Sequence, residues 1–565
     1  EGMHAPRQTV RGELAKSRIT VLSPGKVAAR HLNKHILYTQ CCAKLPNEEN
    51  QKSLAFPQGM AITGDGQTLY VAAFGSSKVG IFSTAALEDD SFQPDTANQI
   101  PVSGGGPSGF ALNEAGQRLY VLTRFNNSIS VIDTAARSEL SQVALYNPEP
   151  PSITSGRRFL YDATLSSHGD SACASCHISG DFDGLAWDLG DPDGQVLPNP
   201  NPFVVGSHNP FHPMKGPMTT QSLRGMDNHG PMHWRGDRTG GYDDESKQPN
   251  RGAYDEDAGF KKFKPAFVGL LGRNDSQPLD DSDMQLFSDF VLQIMYPPNP
   301  IRNLDNSLTP QQQEGRDFYL GGISDIVTNC NGCHVLDPHG NEEFPEVVRP
   351  GFFGTDGQSS EENEPQQFKI PHLRNAYQKV GMFGMAPEPA FFPEQASDIP
   401  FMGDQVRGFG MLHDGTVDTV FRFHGAGVFI RFPLINPDGI PFGEEGYPTR
   451  RALEAFIHAF DTNLAPIVGQ QMTLGPANFA DPAANARIDL LEARAEASEC
   501  QVVVKGFVEG QPAAFLYQGG GTFLRRPTGE ILSEAAVRAL ANQPGGELTF
   551  TCVPPGSGAR IADEL

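Results

Sequence analysis

Tryptophan is nearly absent from this chain: Trp187 and Trp234 are the only two in 565 residues, against 37 phenylalanines. Any indole chemistry is therefore confined to two positions. Long apolar stretches are missing as well. No run of eighteen apolar residues occurs, which argues against a helical membrane span. Lys and Arg are scarce beside Asp and Glu, 43 against 67, for a net charge of −24. That excludes the clustered cationic surface a nucleic-acid binder needs. An acidic surface fits plain solubility first and, as a second reading, a basic electron-donor protein as partner. No leader is visible. The chain opens at Glu1 in polar sequence, as expected of an exported protein after processing, or of a fragment.

The length exceeds what one hydrophobic core supports and predicts three or four domains. Gly 61 and Pro 46 are both high, which favours turns and long loops over long helices. The eight cysteines divide by position. Four lie in two Cys-x-x-Cys-His motifs. Cys500 and Cys552 flank a short C-terminal region and can pair in an oxidising compartment. Cys41 and Cys42 remain as neighbours, either bridged to each other or paired elsewhere. Spacing leaves that connectivity open.

Residues 57–82 (PQGMAITGDGQTLYVAAFGSSKVGIF) and 107–132 (PSGFALNEAGQRLYVLTRFNNSISVI) align without a gap, 50 residues apart. Each reads as an apolar strand, a Gly turn, a Leu-Tyr-Val strand, a polar turn and a third alternating strand. That is the content of a β-propeller blade. The segment 18–23 (RITVLS) reads as the last strand of an earlier blade. Only two to three blades fit before residue 145, fewer than closure needs, so further blades are expected elsewhere. No catalytic constellation shows in these blades, which read as scaffold or docking surface. The expected architecture is multidomain. β-Propeller blades fill 1–146, two mostly α-helical cytochrome c-like haem domains fill 153–300 and 301–470, and a small β-rich region fills 471–565. Thr309-Pro310 is a helix start, and 450–460 has helical apolar spacing.

Cys173-Ala-Ser-Cys176-His177 and Cys330-Asn-Gly-Cys333-His334 each place two thiols three residues apart with a histidine adjacent. Two such thiols reach the vinyl groups on one edge of a porphyrin, and the histidine lies beneath the iron as proximal ligand. The alternative, zinc, needs two Cys pairs converging in one small knuckle, and these pairs lie in different domains. Two covalently bound haem c groups are therefore expected. Export is expected with them, to the periplasm or the cell exterior.

Five segments occur in order: FLYDATLSSHGDSACASCH (159–177), MHWRGDR (232–238), GRDFYLGGISDIVTNCNGCH (315–334), FKIPHLRNAYQKVGMFG (368–384) and MLHDGTVDTVFRF (411–423). Together they resemble the di-haem cytochrome c peroxidase and MauG superfamily over roughly 153–465. The repeats in front resemble the lactonase-like, Tyr-Val-Thr-Asn type of propeller.

The resemblance implies a first haem that meets hydrogen peroxide or another oxidant, and a second that passes on electrons from a redox partner protein. It implies that Trp234 lies between the haems as an electron relay, with a merely packed aromatic as the alternative. Arg235 and Arg238 are candidates to hold haem propionates as bidentate cations, with exposed ion pairs as the equal alternative. The family's Met ligand position on the second haem is Gly427 here. His424 is the nearest good ligand, so His334/His424 coordination is expected, with Met411 and His413 as rivals. The family's detachable histidine on the first haem falls at Asp193, which leaves an open or weakly ligated iron. His208, His212, His229 and His233 lie in the following loop. His233, beside Trp234, joins Trp234 and Arg235 as a catalytic candidate. The family's distal Glu falls at Ala266 and Phe267, an apolar replacement that resembles the dioxygen-using rubber oxygenases. Asp255, Glu256 and Asp257 are nearby carboxylates able to substitute. Calcium is a candidate at two places, with a solvated acidic loop as the equal alternative for the second. One lies between the haem domains, with Thr219 at the family's Asn position. The other is the loop of Asp181, Asp183, Asp188, Asp191 and Asp193, which has calcium-loop content without EF-hand spacing.

Three functions fit, in order of preference. The first is a di-haem oxidoreductase acting on hydrogen peroxide. The second is a related enzyme oxidising a protein or organic substrate, with dioxygen as an oxidant. The third is a non-enzymatic electron carrier that docks through its blades.

Overall fold

A computed structural model describes residues 13–40, 43–187, 218–227, 232–234, 238, 255–273, 279–326, 328–334, 336, 352–353, 368–369, 371–381, 410–415 and 417–563. Cys41, Cys42, Asp188, Asp191, Asp193, His208, His212, His229 and Arg235 lie outside the described residues.

The N-terminal part begins with an antiparallel hairpin, β1 (Arg18–Ser23) and β2 (Lys26–His31). Two four-stranded antiparallel meanders come next. The first is β3 (Pro57–Ile62), β4 (Thr68–Ala73), β5 (Lys78–Ser83) and β6 (Gln99–Pro101). The second is β7 (Pro107–Asn113), β8 (Arg118–Thr123), β9 (Ser128–Asp133) and β10 (Ser138–Ala144). Each repeat thus carries one strand more than its pattern showed. β6 has three residues and β10 is exposed along nearly all its length, so neither shows the two-residue burial period that marks β9. Tyr70, Val79, Ile81 and Ile100 of the first sheet pack with Leu119, Val121 and Ile132 of the second. The sheets meet closely at Gly59, where a Cβ would lie 2.2 Å from the Ser108 carbonyl oxygen. The hairpin adds Ile19 and Leu32 to Leu54, Val71 and Phe82. Among the described residues these sheets form an open stack and do not close.

Two helix pairs come after the sheets. Helix Pro151–Tyr161 packs on Asp281–Val291, and Pro310–Tyr319 packs on Tyr447–His458. The second pair opens as its sequence requires. Pro310 supplies a preset φ at the first helical position, and Thr309 and Gln312 cap each other reciprocally. Each pair closes on a glycine. A Cβ at Gly156 would lie 2.1 Å from the Leu286 carbonyl oxygen, and one at Gly315 would lie 2.0 Å from that of Ala452. Two-residue ladders sit beside each haem motif: β11 (Ala186–Trp187) with β12 (Met218–Thr219), and β13 (Phe352–Phe353) with β14 (Phe368–Lys369).

The C-terminal region is a six-stranded antiparallel sheet in the order β15-β20-β16-β17-β18-β19. Its strands are β15 (Gln471–Leu474), β16 (Gln501–Val508), β17 (Gln511–Gly519), β18 (Thr522–Arg526), β19 (Ile531–Ser533) and β20 (Glu547–Val553). It is less purely β than its sequence suggested. Helices Pro482–Glu496 and Glu534–Ala541 contribute Ile488, Leu491, Val537 and Ala541 to a core with Val502, Phe515, Phe523 and Phe550. The first of these helices interleaves Ala and charged residues (PAANARIDLLEARAE), which leaves little periodic signal. Cys500 and Cys552 are disulfide-bonded within this core. No described helix is long and apolar enough to cross a membrane.

Candidate functional site

Both Cys-x-x-Cys-His motifs fold into a tight turn that brings the histidine back under the first cysteine. The His177 amide donates to the Cys173 carbonyl at 2.9 Å, and the His334 amide to that of Cys330 at 2.8 Å. The second turn is capped by Asn329, whose side chain accepts from the Gly332 amide at 2.8 Å. Each imidazole is then held from a distant segment. His177 Nδ1 lies 2.8 Å from the Gln221 carbonyl oxygen, and His334 Nδ1 lies 2.9 Å from that of Pro371. A carbonyl can only accept, so Nδ1 carries the proton and Nε2 keeps its lone pair. This is the tautomer an iron ligand needs, with the orienting bond already made. Burial lowers the pKa of both histidines and keeps them neutral. It pushes the Cys173 thiol up to about 11, and those of Cys176 and Cys330 up to about 12. Neutral buried thiols fit thioether attachment. Three or more His, Cys, Asp or Glu side chains do not converge into a metal cluster among the described residues. The residues present fit a haem at each motif.

The two halves repeat one arrangement. Gln221-Ser-Leu-Arg-Gly225 in the first corresponds to Pro371-His-Leu-Arg-Asn375 in the second. In each, the residue after Arg has a left-handed backbone, with φ of 64° at Gly225 and 53° at Asn375. In each, a later loop closes by an isolated β-bridge, Met232 with Arg238 and Met411 with Val417. The second residue of each loop also has positive φ, 69° at His233 and 66° at Leu412. Trp234 and His413 therefore occupy equivalent positions.

These two residues cross between the halves. The Lys369 amide of β14 donates to the Trp234 carbonyl at 2.8 Å, and the Thr219 amide of β12 donates to the His413 carbonyl at 2.6 Å. The Trp234 indole N–H donates to the Thr219 carbonyl at 2.7 Å, and the residue is 8% exposed. Thr219 lies two residues before Gln221, and Lys369 two residues before Pro371. Trp234 is thus hydrogen-bonded to both short segments that hold the histidines.

Of the remaining candidates, His424 is 5% exposed, and its ring lies 5.5 Å from that of Phe429. Burial, then the charge of Arg450, push it down to about 3, so it is a neutral imidazole, close enough to His334 for each ring to disfavour a proton on the other. Its Nδ1 makes no hydrogen bond among the described residues. Met411 packs against the apolar cluster that includes Val420 and Leu453. His233 lies edge-on to Phe263 at 6.2 Å, and the Arg238 guanidinium lies 5.7 Å from the same ring. Phe267, at the position of the family's acid, is buried with Phe260 and Phe287. The proposed substitute carboxylates are engaged: Asp255 caps helix Glu256–Lys261, and Asp257 pairs with Lys261 and accepts from Gln285 at 3.0 Å. Two carboxylates of the expected calcium loop are engaged as well. Asp181 pairs with Arg224 at 3.2 Å, and Asp183 accepts from the Trp187 indole at 2.8 Å.

No family model and no curated protein matches the chain. Several solved structures are similar in part. A hydrazine synthase chain from Kuenenia stuttgartiensis is 27% identical over 16% of this chain and 24% of that one, with a TM-score of 0.14. This chain thus spans about a quarter of that one. The same enzyme pressurised with xenon gives 17% identity over 55% and 88%, with a TM-score of 0.29. A MauG-like protein associated with microbial copper homeostasis gives 17% over 56% and 91%, with a TM-score of 0.27. At such low TM-scores these likenesses carry no functional argument.

Sequence reasoning missed Gln221, Pro371 and Thr219 as holding groups because each acts through its backbone carbonyl, which leaves no side-chain signature. A usable signal was present in the paired Leu-Arg steps and in the two Met-x-x-x-Gly loops.

Proposed function

We propose that the chain is a di-haem c-type oxidoreductase of the peroxidase kind. It reduces hydrogen peroxide at the haem held by His177 and draws electrons through the haem held by His334. The observation that carries this reading is the double attachment of Trp234 to the two segments that hold those histidines. Haem at each motif supplies one-electron redox chemistry at iron. The chain's own contribution is positional. Gln221 and Pro371 orient the imidazoles and raise their basicity. Thr219 fixes the indole. His424, buried and neutral, is the proposed second ligand at the His334 centre, and histidine in place of methionine lowers that centre's potential. His233 and Arg238 are proposed to act on the His177 side, with Arg235. The electron donor is a redox protein of basic surface, given the charge of −24. The disulfide and the thioether motifs fit an oxidising compartment outside the cytoplasm.

A second reading has one observation in its favour. Phe263 lies against both His233 and Arg238 and packs on the cluster of Phe260, Phe267 and Phe287, an aromatic surface that suits dioxygen or an organic substrate better than a proton-shuttling acid would.

Mass spectrometry of the holoprotein, showing two added haems, tests the cofactor. Electron paramagnetic resonance of the oxidised protein tests the activity. One high-spin and one low-spin signal, with the high-spin signal altered by peroxide, support the enzyme. Two low-spin signals unmoved by peroxide leave an electron carrier and end the enzymatic reading.

A further inference from the structure

A cation from the second haem half rests on Trp234 of the first. Lys379 ends the short 3-10 turn Ala376–Lys379, which follows the Pro371 carbonyl that holds His334. Its Nζ lies 5.5 Å from the centroid of the Trp234 ring and 5.8 Å from that of Phe182. Phe182 stands just beyond the first haem motif, so one side chain touches both halves. Burial pushes the ammonium down to about 8, and the charge of Asp181 works against that fall. Lys379 is therefore largely charged at neutral pH.

A cation over an indole face is attracted by the negative face of the ring, more strongly where water is excluded. Removing one electron from the ring reverses the sign and sets two positive charges against each other. The indole N–H is held by the Thr219 carbonyl, which accepts the hydrogen bond but is too weak a base to take the proton and relieve this. The cation thus leaves ground-state Trp234 favoured and its oxidised form penalised.

We propose that Lys379 is a positioning residue for inter-haem electron transfer, whose ammonium holds the Trp234 indole in its reduced form so that electrons cross without a hole resting on the ring. This rests on the reading of Trp234 as the link between two haems. In the step that is suppressed, one electron leaves the indole for an oxidant, and a radical cation remains.

The test uses the holoprotein, a photo-oxidised ruthenium tris-bipyridine complex as one-electron oxidant, and electron paramagnetic resonance to count spin on tryptophan. Lys379→Met raises the Trp234 radical yield about tenfold over the parent, a shift of about 1.4 kcal/mol. Lys379→Arg, which keeps the charge, stays at the parent level. Adding Trp234→Phe to Lys379→Met abolishes the gain. Equal yields from the parent and Lys379→Met overturn the proposal, as does a gain that survives Trp234→Phe. Lys379→Gln gives the same reading if the Met variant folds poorly. The photo-oxidant needs no peroxide, so failure here is separable from failure of the peroxidase reading, which shows as haem signals that peroxide leaves unchanged.

Discussion

Adding one methyl group to Gly315 tests the helix packing that carries the second haem motif. The added Cβ would stand 2.0 Å from the Ala452 carbonyl oxygen and 2.8 Å from the Phe456 Cβ. Both are far inside van der Waals contact, and the first is backbone that cannot rotate away. Helices Pro310–Tyr319 and Tyr447–His458 must separate by more than an ångström, at an overpacking cost of about 3 kcal/mol. Alanine in a helix interior returns about 1 kcal/mol over glycine. The clash wins, and Gly315→Ala loses about 2 kcal/mol net. Gly156→Ala should lose a similar amount, because its Cβ would stand 2.1 Å from the Leu286 carbonyl oxygen and 2.4 Å from the Phe290 Cβ. Gly269, in the short helix Ala266–Gly269, has nothing within 4 Å of its would-be Cβ. Gly269→Ala is the control and should be neutral or slightly stabilising. Urea unfolding followed by far-UV circular dichroism reads all three. Should Gly315→Ala prove as stable as the parent while Gly269→Ala behaves as expected, the close crossing is wrong.

Three other perturbations have definite outcomes. Burial raises Asp170 from 3.8 to about 6 despite the hydrogen bond it accepts from Tyr38. The folded state therefore binds this proton more tightly than the unfolded one, and stability is fully present below pH 4 and lost as pH rises through 6. Asp170→Asn, which can still accept from Tyr38, should gain about 3 kcal/mol over the parent at pH 7 and nothing at pH 4, as read by thermal unfolding across that range. Replacing both Cys500 and Cys552 by Ala opens a loop of sequence separation 52, and the loop-entropy estimate puts the loss at about 4 kcal/mol. The C-terminal region should then unfold at lower denaturant while the haem Soret band stays put. Finally, His424→Met should keep the second centre low-spin and raise its midpoint potential in a redox titration. An unchanged potential would remove His424 from the ligand set.

The haem motifs were legible because their chemistry is local: two thiols and an imidazole within five residues define an attachment site wherever the chain places them. The 50-residue repeats were legible for a related reason, since the buried apolar runs of β4 and β5 and the alternating burial of β8 and β9 each leave a local record. β6 and β10 left none, being short or exposed, and the Ala-rich helix Pro482–Glu496 left none because its apolar and charged residues alternate without a clear stripe.

Sequence alone thus determined the two Cys-x-x-Cys-His motifs, with their two histidines and four thiols, and the position of the single indole worth testing. It could not determine what holds them. The carbonyls of Gln221 and Pro371 lie 44 and 37 residues from the histidines they orient, and a carbonyl is common to every residue. Tertiary structure alone decided that Trp234 bonds toward both histidines, that His413 mirrors it, and that Lys379 lies on its face. Each of these depends on segments distant in sequence meeting at hydrogen-bond or van der Waals range, and no local spacing rule encodes such a meeting.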